Sequence, residues 1–268
     1  MVSRVFVRAS FAMMTTAVLL MAPLRLDAQR GAQVGRGNQA PGPQAGPGNA
    51  SVDPPFDPAG YWVSLISDEW RYRMITPPKG NVDYVPINAE GRRIAGEWDP
   101  ARDERAGEAC RGYGAGGIMR LPGRLHITWQ DPSTLKMEID TGTQTRLFRF
   151  GESQPSAGEQ PSWQGYSVAQ WEFSGGRGAR GQPRQGQLKV VTTRLKPGYL
   201  RKNGVPYGPN AVLTEYVAAL NDDDGTRYLA VTTMLDDTQY LQQPWVRTSQ
   251  FKKEATASGW NPTPCSAQ

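Results

Sequence analysis

The strongest constraint on this chain is a series of short segments between residues 124 and 253, each alternating apolar and polar side chains and each bounded by turn formers. Residues 124–130, 134–140 and 144–150 are separated by Asp131-Pro132-Ser133 and Thr141-Gly142-Thr143. Residues 166–174, 188–195, 212–220, 227–235 and 245–253 continue the pattern, and Lys202-Asn203-Gly204-Val205 adds a two-residue hairpin signal. Alternation places every second side chain on one face, so each segment must bury that face against others of its kind. No βαβ alternation is present. The chain is therefore expected to be all-β, an antiparallel meander closing into a barrel or a sandwich.

Upstream of the meander, residues 61–66 and 70–75 also read as strands, broken by Ser67-Asp68-Glu69 and stopped by Thr76-Pro77-Pro78-Lys79-Gly80. Asn88 is a good N-cap for a helix over 89–98, and a second short helical turn fits 100–107. These one or two short helices are the only ones expected.

The N-terminal residues 1–28 have the parts of a secretory signal: Arg4 and Arg8, an apolar run from Phe11 to Leu24, and Leu26-Asp27-Ala28 as a cleavage site. The run is shorter than the 20 or so residues a membrane span needs, and no Cys follows the cut to carry a lipid. Residues 29–55 form a Gly/Pro/Gln-rich leader with little to bury and are expected to be disordered. Residues 56–268 then make a single β domain, with a disordered low-complexity loop at 175–187. A periplasmic or secreted location follows from the signal.

Charge excludes one class of partner. Lys and Arg number 30 against 25 Asp and Glu, a net charge of +5. Removing Arg4, Arg8, Arg25 and Asp27 lowers it to +3, and Arg30, Arg36, Arg177, Arg180 and Arg184 lie in the flexible arms, which leaves the folded body at −2. Nucleic acid is not an expected partner; the arms would give at most weak attraction to an anionic envelope, without integral membrane contact. Cys110 and Cys265, a lone pair in an exported chain, read as a disulfide rather than as a buried thiol beside a frayed tail.

Familiar catalytic motifs are missing. Two matches to G-x-G-x-x-G, at Gly112-Gly114-Gly117 and Gly176-Gly178-Gly181, have no helix expected after them and so lack the amides that would hold a phosphate. His126 is the only histidine, which removes multi-histidine metal sites, and there is no G-x-S-x-G elbow. No metal and no cofactor is expected.

His126 nevertheless has a suggestive register. A three-residue turn at 131–133 sets Ile127 against Met137 and His126 against Glu138; a three-residue turn at 141–143 would set Glu138 against Arg146. His126, Glu138 and Arg146 would then stand in a row, as a carboxylate-tuned general base or as an ordinary solvated face of ion pairs. Among the tryptophans, Trp62, Trp70, Trp129 and Trp171 lie in or beside strands and could line a ligand cavity.

Gly60-Tyr61-Trp62, opening the first strand, resembles the G-x-W start of lipocalin-like barrels. Residues 69–74 (EWRYRM), 76–80 (TPPKG), 122–129 (PGRLHITW), 198–204 (GYLRKNG) and 260–265 (WNPTPC) resemble a family of exported β proteins of environmental bacteria, a likeness that spans nearly the whole folded part and implies export and a lipocalin-like barrel but no established activity. The 175–187 loop looks like an insertion relative to that pattern. The expected function is binding of a small, largely apolar molecule in the barrel mouth or interior. The alternatives are a metal-independent isomerase, lyase or hydrolase using His126 with Glu138 and Arg146, or a carbohydrate-binding or envelope-associated module.

Overall fold

A computed structural model describes residues 50–51, 54–151, 154–156, 158–174 and 185–268. The expected secretory signal, most of the expected leader and the first ten residues of the 175–187 loop lie outside the described residues.

The alternating segments all become strands. They run Gly60–Leu65 (β1), Arg124–Asp131 (β2), Thr134–Ile139 (β3), Gln144–Phe150 (β4), Tyr166–Phe173 (β5), Gly186–Thr193 (β6), Gly198–Arg201 (β7), Val205–Tyr207 (β8), Val212–Asn221 (β9), Arg227–Asp236 (β10) and Trp245–Glu254 (β11). Nine of them close into a barrel in the order β1-β11-β10-β9-β6-β5-β4-β3-β2, and β7 and β8 form a separate two-stranded sheet. The all-β class expected from the sequence is thus the fold, and of the barrel and the sandwich it is the barrel. One neighbouring pair departs from the meander: β4 and β5 are parallel, joined by Phe148↔Ser167, Arg149↔Val168 and Phe150↔Ala169. The β7–β8 turn has three residues, since Arg201 pairs with Val205, and Gly204 adopts φ 82° there, which an L side chain resists.

Alternation explains the interior. Trp62, Ile127, Met137, Phe148, Ala169, Val190, Val217, Val231 and Phe251, one residue from each barrel strand, belong to a single buried cluster. A second buried cluster, including Ile87, Leu200, Val205, Tyr207, Leu235 and Trp245, attaches the β7–β8 hairpin to the barrel. Around this hairpin lie the short helices Trp70–Arg73 (α1), Ala89–Gly96 (α2), Pro100–Arg105 (α3) and Ala115–Ile118 (α4), and a 3-10 turn at Ala109–Tyr113. Asn88 caps α2 as expected, its Oδ1 accepting from Gly91 N–H at 2.9 Å.

Three local expectations are corrected. Residues 70–75 are not a strand: Glu69 takes a left-handed conformation (φ 46°) and the chain coils into the one-turn α1, with Tyr72 N–H on Glu69 O and Met74 N–H on Trp70 O. The closed barrel gives β1 the partners β11 and β2 and offers no free edge to a further strand, so the aromatic and β-branched residues found no pleated surface to join. The glycines at 112–117 do lead into a helix, α4, but it is only four residues long. Their role is close packing, since a Cβ on Gly117 would lie 2.8 Å from Tyr199 O. The low-complexity loop ends earlier than expected, because Gly186 and Gln187 pair with Phe173 and Glu172 in β6.

The expected bridge is present: Cys110, in the 3-10 turn, is bonded to Cys265 with Cα atoms 5.1 Å apart. Among the described residues no helix is long and apolar enough to cross a membrane.

Candidate functional site

His126 and Glu138 pair across β2 and β3 as expected, with Nδ1 and Oε2 3.1 Å apart. They lie on the outer face of the barrel. The imidazole stacks flat on Tyr61, ring centroids 4.1 Å apart, with Trp260 edge-on, and Lys136 also reaches Glu138 at 3.1 Å.

Arg146 does not join them. Glu138 pairs with Thr145 and Met137 with Arg146, one residue away from the expected register. The connection from β3 to β4 has four residues, Asp140 to Thr143, because Ile139 is opposite Gln144; Gly142 (φ 79°) and Thr143 (φ 50°) both turn left-handed. The extra residue sends Phe148 and Phe150 inward in place of Leu147, and Arg146 goes with them. Inside the barrel Arg146 meets Glu215 of β9 through Nη1–Oε1 at 2.9 Å and a second contact from Nη2 to Oε2, with Thr192 Oγ1 3.3 Å from Nη2. The three-residue catalytic row is not formed.

The tryptophans occupy separate places. Trp62 is buried and donates to Pro58 O at 2.9 Å; Trp129 and Trp171 both tilt against Phe150 with centroids 5.6 Å away; Trp70 is 55% exposed on α1. Trp171 Nε1 also donates to Ala50 O at 3.0 Å, which ties the end of the expected leader to the barrel.

The chemistry gathers instead in a cleft of about 140 Å³ between α1 with the chain that follows it, the end of α4, and β7. Tyr72, Met74, Ile75, Leu121 and Leu200 give it apolar and aromatic wall, and Arg73, Arg120 and Arg201 give it charge. All three arginines are buried. Arg73 donates from Nε to Arg120 O at 2.9 Å and from Nη1 to Asp68 at 2.5 Å. Arg120 contacts Glu69, whose other oxygen lies 3.2 Å from Arg247 Nε. Arg201 lies with Cζ 4.4 Å from the centroid of the Tyr72 ring, and the Tyr72 hydroxyl donates to Asp83 at 3.3 Å. Asn203 fixes one side of the site by donating from Nδ2 to Pro78 O and Asn81 O at 3.0 and 2.8 Å. Burial pushes the Arg120 guanidinium down to about 10, opposed by Glu69, and burial lowers Arg201 as well.

None of these residues was singled out from the sequence as functional. A signal existed in the Arg- and Tyr-rich segments 69–74 and 198–204, which supply Tyr72, Arg73 and Arg201 from distant parts of the chain. Among the described residues no group of three His, Cys, Asp or Glu side chains is placed to hold a metal ion. Compared with known proteins, the chain matches no family model, no curated protein and no solved structure.

Proposed function

We propose that this chain is an exported binding protein that takes a small, largely apolar molecule in the cleft between α1 and β7. The observation that carries the reading is the cleft itself, about 140 Å³ beside a barrel whose interior is packed with its own side chains. That volume is close to the roughly 150 Å³ of an engineered cavity that holds benzene, so a ring or a short chain fits. Met74 and Ile75 stand exposed at its rim, where an apolar ligand would cover them. Export is supported by the N-terminal signal pattern and by the Cys110–Cys265 bridge, a bond typical of oxidising compartments. The enzyme alternative loses its proposed machinery with Arg146 on the far side of the sheet from His126.

Saturation-transfer NMR with neutral benzene-sized fragments tests this reading. Transfer to ring protons is expected for the native protein and should be lost in Met74→Gln/Ile75→Gln, two exposed positions whose exchange leaves the core intact. Equal transfer in the variant would place binding elsewhere, and no transfer in the native protein would end the proposal.

A further inference from the structure

We infer that the ligand of this cleft carries an oxyanion, a carboxylate or a phosphate, held by Arg201 together with Arg73 and Arg120, while its apolar part lies toward Met74 and Ile75. The inference rests on the reading that the cleft binds a small molecule, and adds the chemical class.

Arg201 carries the argument. It is 4% exposed, lines the cleft, and has no hydrogen-bond partner on Nε, Nη1 or Nη2 among the described residues. Arg73 Nη2 and Arg120 Nη1 are likewise unpartnered. Buried guanidinium groups are normally paired, because removing the charge from water is costly unless an anion replaces the hydration. The nearby carboxylates are already committed: Asp68 to Arg73, Glu69 to Arg120 and Arg247, and Asp83 to Tyr72 and Asn81. Four arginines, Arg73, Arg120, Arg201 and Arg247, thus face three carboxylates, Asp68, Glu69 and Asp83, and the cleft has cationic excess.

The arrangement is also preorganised. The Arg201 guanidinium is stacked on Tyr72, Arg73 is tied to the Arg120 carbonyl, and Asn203 holds the 78–81 turn. Little side-chain freedom remains to be lost on binding. A planar guanidinium presents two parallel N–H donors that match the two oxygens of a carboxylate or of a phosphate, whereas a neutral group of the same shape leaves them unpaired. An anion would also oppose the burial that depresses Arg120 and Arg201. The small volume excludes a polynucleotide, and the cationic lining excludes a metal cation.

Isothermal titration of the mature chain with benzoate, phenyl phosphate and benzamide tests this at neutral pH. Benzamide has the ring and shape of benzoate without its charge. At least one of the two anions should bind ten times or more tighter than benzamide; a preference between them names the carboxylate or the phosphate as the head group. Arg201→Gln should bring the preferred anion to the benzamide level. Should that variant fail to fold, Arg201→Lys, which keeps the charge and loses the fork, should weaken the anion alone. Benzamide binding as tightly as both anions would overturn this inference and leave the cleft-binding reading in place. Failure of all three to bind would overturn both.

Discussion

Arg146 and Glu215 meet inside the barrel, each guanidinium Nη on its own carboxylate oxygen, with Thr192 and Ser167 completing a polar chain amid the apolar interior. Their side chains are all but inaccessible to solvent. Such a pair is strongly destabilising when halved, since the partner is left as an uncompensated buried charge, yet its joint replacement by apolar groups of similar size is often neutral or better. Arg146→Met alone should therefore lower the unfolding free energy by about 3–5 kcal/mol in urea, and Arg146→Met/Glu215→Leu should recover most of that loss. A single variant as stable as the native protein would show that the pair carries no such energy.

The bridge between Cys110 and Cys265 closes a sequence separation of 155 residues. Removing it by Cys110→Ser/Cys265→Ser should cost about 2–5 kcal/mol, read from denaturation midpoints with and without reductant. The native protein should fall to the level of the variant once reduced. Insensitivity of the native protein to reductant, with full thiol labelling, would contradict the prediction.

Tyr199 gives a pH signature. Burial, aided by its 2.6 Å hydrogen bond to Asp103, raises the phenol above its usual 10.0. The unfolded chain then releases a proton that the folded chain keeps, so the stability due to this group is complete below pH 10 and declines as pH rises past it. The stability advantage of the native protein over Tyr199→Phe should shrink on going from neutral pH to above 10. An advantage independent of pH would refute this.

His126 should matter little to stability. Its contacts with Glu138 and Tyr61 are on the outer face, where an ion pair contributes roughly 0–1 kcal/mol. His126→Ala should cost about 1 kcal/mol, mostly from the lost stacking on Tyr61. A loss well beyond that would show the outer face to be more than a solvated surface.

The barrel was legible because alternation is local and every strand carries it. The β2–β3 register was legible for the same reason, with Ile127 opposite Met137. The β3–β4 register was not. Its turn is held by distant residues: Thr143 donates to Thr263 O at 2.9 Å, Thr263 N–H bonds Asp140 O, and Asp140 Oδ1 accepts from Arg124 N–H at 2.7 Å. No rule about Thr141-Gly142-Thr143 contains those contacts, so one unforeseen residue reversed the face of Arg146. The cleft was hidden for a related reason. Arginine reads as a surface residue, and only the closing of α1 onto a hairpin more than a hundred residues away buries Arg73 and Arg201 together.

The parallel contact between β4 and β5 has an arithmetic origin. A closed ring in which every neighbour runs antiparallel needs an even number of members, and this ring has nine. Somewhere the alternation must fail once, and it fails over three residue pairs at Phe148 to Phe150. After Phe150 the chain must then double back to the level of Leu147 before β5 starts at Tyr166. It does so through residues that lie against other elements on the way: Trp163 O accepts from Ala115 N–H at 2.8 Å, and Ser162 bridges to Leu195. Parity thus requires a return stroke, and that stroke is laid against the start of α4, the helix whose other end frames the arginine cleft.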